Sequence, residues 1–71
     1  MTRSYPYRIT LRLYSGLTER HYIEASNYRD AFDKAHRFAT PIAMSGRDGV
    51  QFIDVQKLTK AYCADYGIKF E

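Results

Sequence analysis

Residues 8–26, RITLRLYSGLTERHYIEAS, hold two alternating runs on either side of a Ser15-Gly16 pair, and no other stretch restricts the fold as much. Tyr7, Ile9, Leu11 and Leu13 alternate with Arg8, Thr10, Arg12 and Tyr14, a period of two in β-favouring residues that predicts a strand. Pro6 has no amide hydrogen for a ladder and fits the beginning of that strand. The second run, Arg20 to Ala25, places His21, Ile23 and Ala25 on one parity and Arg20, Tyr22 and Glu24 on the other. For the two apolar sets to share a face, opposed residue numbers must sum to an even value. A sum of 34 is expected, with Leu11 opposite Ile23 inside, Arg12 opposite Tyr22 outside, and Ser15–Glu19 as a five-residue loop.

The next segment changes period. Tyr28, Ala31, Phe32, Ala35, Phe38 and Ala39 recur at spacings of three and four, which predicts a helix over 28–39 with that stripe facing the sheet. Ser26 or Asn27 caps it by accepting a hydrogen bond from a free first-turn amide. Arg29/Asp33, Asp30/Lys34 and Asp33/Arg37 are opposite charges four apart, each worth about 0.2–0.5 kcal/mol. Pro41 is expected to end the helix, because a residue before proline is pushed out of the helical region.

Short strands are expected next, one near Ile42–Met44 and another at Val50–Asp54, joined by a turn at Ser45–Gly49. From Asp54 the spacing of Val55, Leu58, Tyr62 and Tyr66 suggests a second short helix over about 55–65, capped by Asp54 and closed by Gly67. A longer strand running through Leu58 is the alternative. Ile68 and Phe70 would face inward from an edge strand at IKFE. The expected fold is α+β: an antiparallel sheet of about four to five strands with helix 28–39 packed on one face.

A chain of 71 residues makes one domain, read here as 1–71 with residues 1–5 flexible. Eleven Lys and Arg against eight Asp and Glu give +3, an excess compatible with an acidic partner but far from a histone-like density. With a single cysteine, Cys63, and two histidines, His21 and His36, neither a disulfide nor a metal-ligand spacing is expected. The opening MTRSYPYR lacks a signal-peptide core, and no apolar run approaches membrane-helix length, so a cytoplasmic protein with no membrane partner is expected.

Catalytic patterns are missing: there is no Gly-rich phosphate loop, no nucleophile elbow, and no histidine at suggestive spacing from a serine or cysteine. His36 falls on the polar side of the helix. His21, near the loop, reads as a partly covered ring bonded to backbone. Cys63 reads as a small buried or half-buried hydrophobe. Asp30/Asp33 and Asp54/Asp65 are explained by helix ion pairs and capping. A protein without enzymatic activity or cofactor is expected.

What is left is the outer row. If both helices cover one face, Arg8, Thr10, Arg12, Tyr14, Arg20, Tyr22 and Glu24 project from the other. Such a row is compatible with a plain solvated face. Arginine and tyrosine also bury large area at modest rotamer loss and are enriched at interface centres. The guanidinium groups could meet protein carboxylates or, with the rings stacking on bases, the phosphates of a nucleic acid. Glu24 interrupts the row, lysines are few, and the aromatic signature of RNA-recognition sheets is absent, which favours protein over nucleic acid. The candidate partner-binding residues are Arg8, Arg12, Tyr14, Arg20, Tyr22 and, in the SGRDG turn, Arg47.

The stretch IEASNYRDAFDKA, Ile23–Ala35, has a strand ending in Ile-Glu-Ala, a polar cap, and alanines at the helix's inward positions. It resembles the strand-to-helix junction of small phage-encoded inhibitor proteins, among them anti-CRISPR proteins of type I systems and inhibitors of host polymerase. The likeness covers about the first half of the chain. It implies a stand-alone protein, monomer or homodimer, that occupies a surface of a larger host protein or nucleoprotein complex in the host cytoplasm. It transfers no functional residue, because Ile23, Ala25, Ala31 and Ala35 are structural positions.

Overall fold

The computed structural model describes residues 3–71; part of the stretch expected to be flexible, residues 1 and 2, lies outside them. The elements are strand β1 (Tyr5–Leu13), strand β2 (Thr18–Ala25), helix α1 (Tyr28–Met44), strand β3 (Val50–Lys57) and helix α2 (Lys60–Tyr66). The fold is α+β with one antiparallel sheet in the order β2-β1-β3. Three strands therefore replace the expected four to five.

The hairpin keeps the expected parity but not the expected register. Tyr5 opposes Ala25 and Leu11 opposes Glu19, so opposed numbers sum to 30 and not 34; Tyr22 meets Arg8 rather than Arg12. The shift follows from the turn. Leu13 C=O accepts from Gly16 N–H at 3.0 Å, and Leu13 N–H donates to Leu17 C=O at 2.9 Å. Gly16 sits at φ 96°, where a glycine costs little, so a tight turn with a left-handed bulge replaces the five-residue loop. β2 accordingly starts at Thr18, two residues before the expected Arg20.

An even sum still sends Tyr7, Ile9, Leu11, Leu13, Ile23 and Ala25 to one side, where all are buried. α1 covers this side with Ala31, Ala35 and Ala39, small residues that let the helix axis approach the sheet, while Phe32, Phe38 and Ile42 pack around the cluster. Asn27 is the cap, its side chain accepting from Asp30 N–H at 2.8 Å. Of the three charge pairs anticipated on the helix, Asp30/Lys34 closes, at 3.6 Å.

Pro41 does not end α1. The helix runs on to Met44, and the expected strand at Ile42–Met44 does not form. Pro41 lacks only its own donor, Thr40 Oγ1 donates to His36 C=O at 2.8 Å, and Ile42 is held against the core, so packing outweighs the local preference of the residue before proline.

The segment after Asp54 resolves toward the alternative. β3 continues to Lys57, so residues 55–57 are strand and the second helix begins at Lys60. Thr59 is its cap, accepting from Tyr62 N–H at 3.1 Å, and Asp54 lies mid-strand opposite Thr10. Gly67 closes the helix at φ 61° as its position requires. The C-terminal IKFE adds no strand; Glu71 N–H alone reaches β2, donating to Tyr22 C=O at 2.7 Å. Helix α2 lies across the face opposite α1. Ser4, Pro6 and Glu24 on that face line one cleft with Lys60, Cys63 and Phe70, and Arg8 and Gln56 line another with Thr59 and Tyr62.

Leu11 is fully buried, so Leu11→Ala should lower unfolding free energy in urea by about 2–5 kcal/mol. Asn27→Ala should cost about 1 kcal/mol through the lost cap, with unchanged m-value. Arg20→Ala, on the open face, should change stability by less than about 0.5 kcal/mol.

Candidate interaction surface

The even-numbered side of the hairpin does form one face, but α2 divides it. At the end near the start of β1, Pro6 is buried, Arg8 is half-buried beside α2, and Tyr22, opposite Arg8 in the register, is half-buried where Glu71 N–H reaches its carbonyl. Arg8 is engaged within the fold: a terminal nitrogen donates to Gln56 Oε1, and its Nε is buried without a partner. Arg8 therefore belongs to the seam between sheet and α2 more than to open surface.

At the hairpin end no described element covers this face. Arg12 and Arg20 are exposed, and Tyr14 is 72% exposed at the turn. A residue outside the expected row joins them. The β1–β3 register opposes Arg12 to Phe52, which is 47% exposed, and the Arg12 guanidinium lies 5.9 Å from its ring centre. At an exposed site such a contact contributes about 0.5–1 kcal/mol, enough to orient the guanidinium across the ring. The signal for Phe52 was present in the sequence: Ile53 and Val55 are the aliphatic parity of β3, which leaves Phe52, Asp54 and Gln56 for the other side.

The turn carrying Arg47 is fastened to this same end. Asp48 accepts from the Ser15 hydroxyl and, at 3.3 Å, from the Ser15 amide, while Tyr14 N–H donates to Gly49 C=O at 3.0 Å. Gly49 matters for its lack of a side chain: a Cβ there would lie 3.2 Å from the Tyr14 ring. Exposed Arg47, one residue from this tether, is thus held at the hairpin end with Arg12, Tyr14 and Leu17, the last 65% exposed. Of the six candidate residues, Arg12, Tyr14, Arg20 and Arg47 are open at one end of the molecule, and Arg8 and Tyr22 are half-buried.

His21 occupies the other side and bonds differently from expectation. Its ring stacks on Phe38 with centres 4.3 Å apart and planes 12° apart, and Nδ1 lies 2.7 Å from Glu71 Oε2, a carboxylate rather than a backbone group. Glu19 Oε1 is 3.8 Å from Nε2. His36 is exposed, its ring set edge-on to Phe32, and Cys63 is half-buried as a small hydrophobe. Among the described residues no group of three or more His, Cys, Asp or Glu is placed to hold a metal ion, and no helix is long and apolar enough to cross a membrane.

No family model, curated protein or solved structure matches this chain. Its functional reading therefore rests on geometry and chemistry.

The bonds from Ser15 and from the Gly49 amide hold the Asp48 carboxyl below the ordinary aspartate pKa. A depressed folded-state pKa contributes stability that is present above the unfolded value and disappears as pH falls through the folded one. A carbon-detected NMR titration should place the Asp48 midpoint below that of the same residue in a short unfolded peptide. Ser15→Ala should move it back up; an unmoved midpoint would show that the tether does not form in solution.

Proposed function

We propose that the protein is a non-enzymatic binding protein of the small phage-encoded inhibitor kind, acting in the host cytoplasm by masking a surface of a host complex such as a CRISPR effector. The observation that carries this reading is the open hairpin end, where Arg12 spans the Phe52 ring, with Tyr14, Arg20, Leu17 and Arg47 exposed. Arginine and aromatic side chains clustered on a rigid strand surface are the types that dominate binding energy at interface centres. Leu17, Tyr14 and Phe52 are three of the seven large hydrophobic side chains exposed among the described residues, and they supply apolar contact area beside the guanidinium groups. The partner patch is expected to be acidic with an apolar centre, its carboxylates pairing with guanidinium groups in a bidentate manner.

A nucleic-acid module is the second reading, favoured by one observation: a guanidinium beside an exposed phenyl ring is also how single strands are held, by phosphate pairing and base stacking. Asp54 and Glu24 on the same face weigh against it.

Capture from a bacterial lysate by the wild-type protein, compared with Arg12→Glu/Phe52→Ala and with Arg29→Glu on the far side of α1, tests the surface. The double variant should lose its specific partner by about 30-fold or more, the equivalent of one 2 kcal/mol hot spot. Arg29→Glu should retain it. Equal capture by all three, with circular dichroism unchanged, removes the hairpin end from consideration. Oligonucleotide binding that falls steeply with salt would transfer the surface to the second reading.

A further inference from the structure

The chain treats its two sheet edges unequally. Along β2, the edge residues direct alternate backbone groups outward, and the chain's own Glu71 covers part of that edge by donating to Tyr22 C=O. Along β3 the bonding phase is set by Leu58 N–H, which donates to Pro6 C=O at 2.9 Å. From Phe52 onward the even-numbered residues of β3 therefore point their N–H and C=O groups at β1, and those of Ile53, Val55 and Lys57 point away from the sheet. Among the described residues no segment pairs with them. β3 is eight residues long and has no proline; a register shift leaves Gln51 as a bulge near its start, so the regular unpaired edge runs from Phe52 to Lys57, with Asp54 and Lys57 as its charges.

We infer that β3 is a self-association edge, pairing antiparallel with β3 of a second copy to make a continuous six-stranded sheet. The side chains choose both the occupant and the register. A two-fold centred on Asp54 would oppose it to Asp54 of the partner subunit, which like charge disfavours. A centre on Val55 would place Lys57, whose ammonium lies 4.2 Å from the Tyr5 ring centre, against Ile53 and would form no charge pair. A centre on Ile53 opposes it to Ile53 of the partner subunit and sets Phe52 beside Asp54 of the partner subunit.

In that register the Arg12 guanidinium, already leaning across Phe52, points along the row to the partner's Asp54. Two strand spacings separate the two backbones by about 10 Å, a gap that an extended arginine and an aspartate bridge. The two-fold makes this contact twice. A second copy is thus complementary in hydrogen bonds, apolar contact and charge at once. The association engages Arg12 and Phe52, which the proposed partner surface also uses, and leaves Tyr14, Arg20 and Arg47 uncovered; it is read by mass and amide protection, apart from capture of any other partner.

Sedimentation equilibrium on the purified protein should show concentration-dependent growth from 8.3 kDa toward twice that mass. Asp54→Arg and Arg12→Asp should each weaken association by about tenfold or more, and the combined reversal should recover it. Hydrogen exchange on the unaltered protein gives an independent reading: amides of Ile53 and Val55 should slow as concentration rises, while those of Phe52, Asp54 and Gln56 stay constant. A species that remains at monomer mass at about 1 mM overturns the inference. So does a dimer in which those two amides stay unprotected, or one indifferent to both charge reversals.

Discussion

β1 is the strand on which the rest of the structure depends. Its odd-numbered residues direct their backbone groups to β2 and its even-numbered residues to β3, so every neighbour in the sheet is bonded to it. Its side chains obey the same division by face. Ile9 and Leu11 are completely buried under α1, and Arg12 lies open on the reverse. Because side chains alternate, a one-residue slip of either neighbouring strand would turn Ile23 or Val55 outward and bring a polar residue under the helix. In a domain this small, whose stability is a few kcal/mol, no such slip is tolerated. The parity that fixes the core therefore also fixes which residues are available for contact.

This is why the faces were legible in the sequence and the exact pairing was not. Any even sum satisfies the core, so 30 and 34 are equal by parity; the choice rests on Gly16 adopting a left-handed conformation and shortening the turn. α1 was legible because its stripe of alanines and phenylalanines and its Asn27 cap agree with one another. Its end was misread because Pro41 is a local signal, whereas Ile42 contacts residues distant in sequence and that contact prevails. At Val50–Lys57 a three-or-four spacing coexisted with period-two alternation, and pairing with β1 decided between them. The placement of α2 on the far face left no mark in local pattern. Leu58, buried on the even parity beyond the strand, is the one residue that points to it.

The same reasoning separates two kinds of arginine that the sequence presents as equivalent. Arg8 and Arg12 occupy like positions in the alternation, four residues apart on one face. Arg8 falls where α2 crosses and is drawn into contacts with Gln56, next to Tyr62. Arg12 falls beyond the reach of α2 and finds Phe52 instead. Position relative to a distant segment, not residue type, divides the structural role from the available one.

Chain length explains why the division falls where it does. A helix of seven residues is about 10 Å long, whereas a nine-residue strand extends about 30 Å, so α2 can cover roughly a third of the face it lies on. Among the described residues no other element covers the remainder. An uncovered remainder by itself calls for short polar residues such as Thr10 and Thr18, which are present there. Leu17 and the rings of Tyr14 and Phe52 are exposed at the same end, beside the guanidinium groups of Arg12 and Arg20. Because α2 cannot reach this end, it is the part of the even-numbered face left open for the contact proposed above.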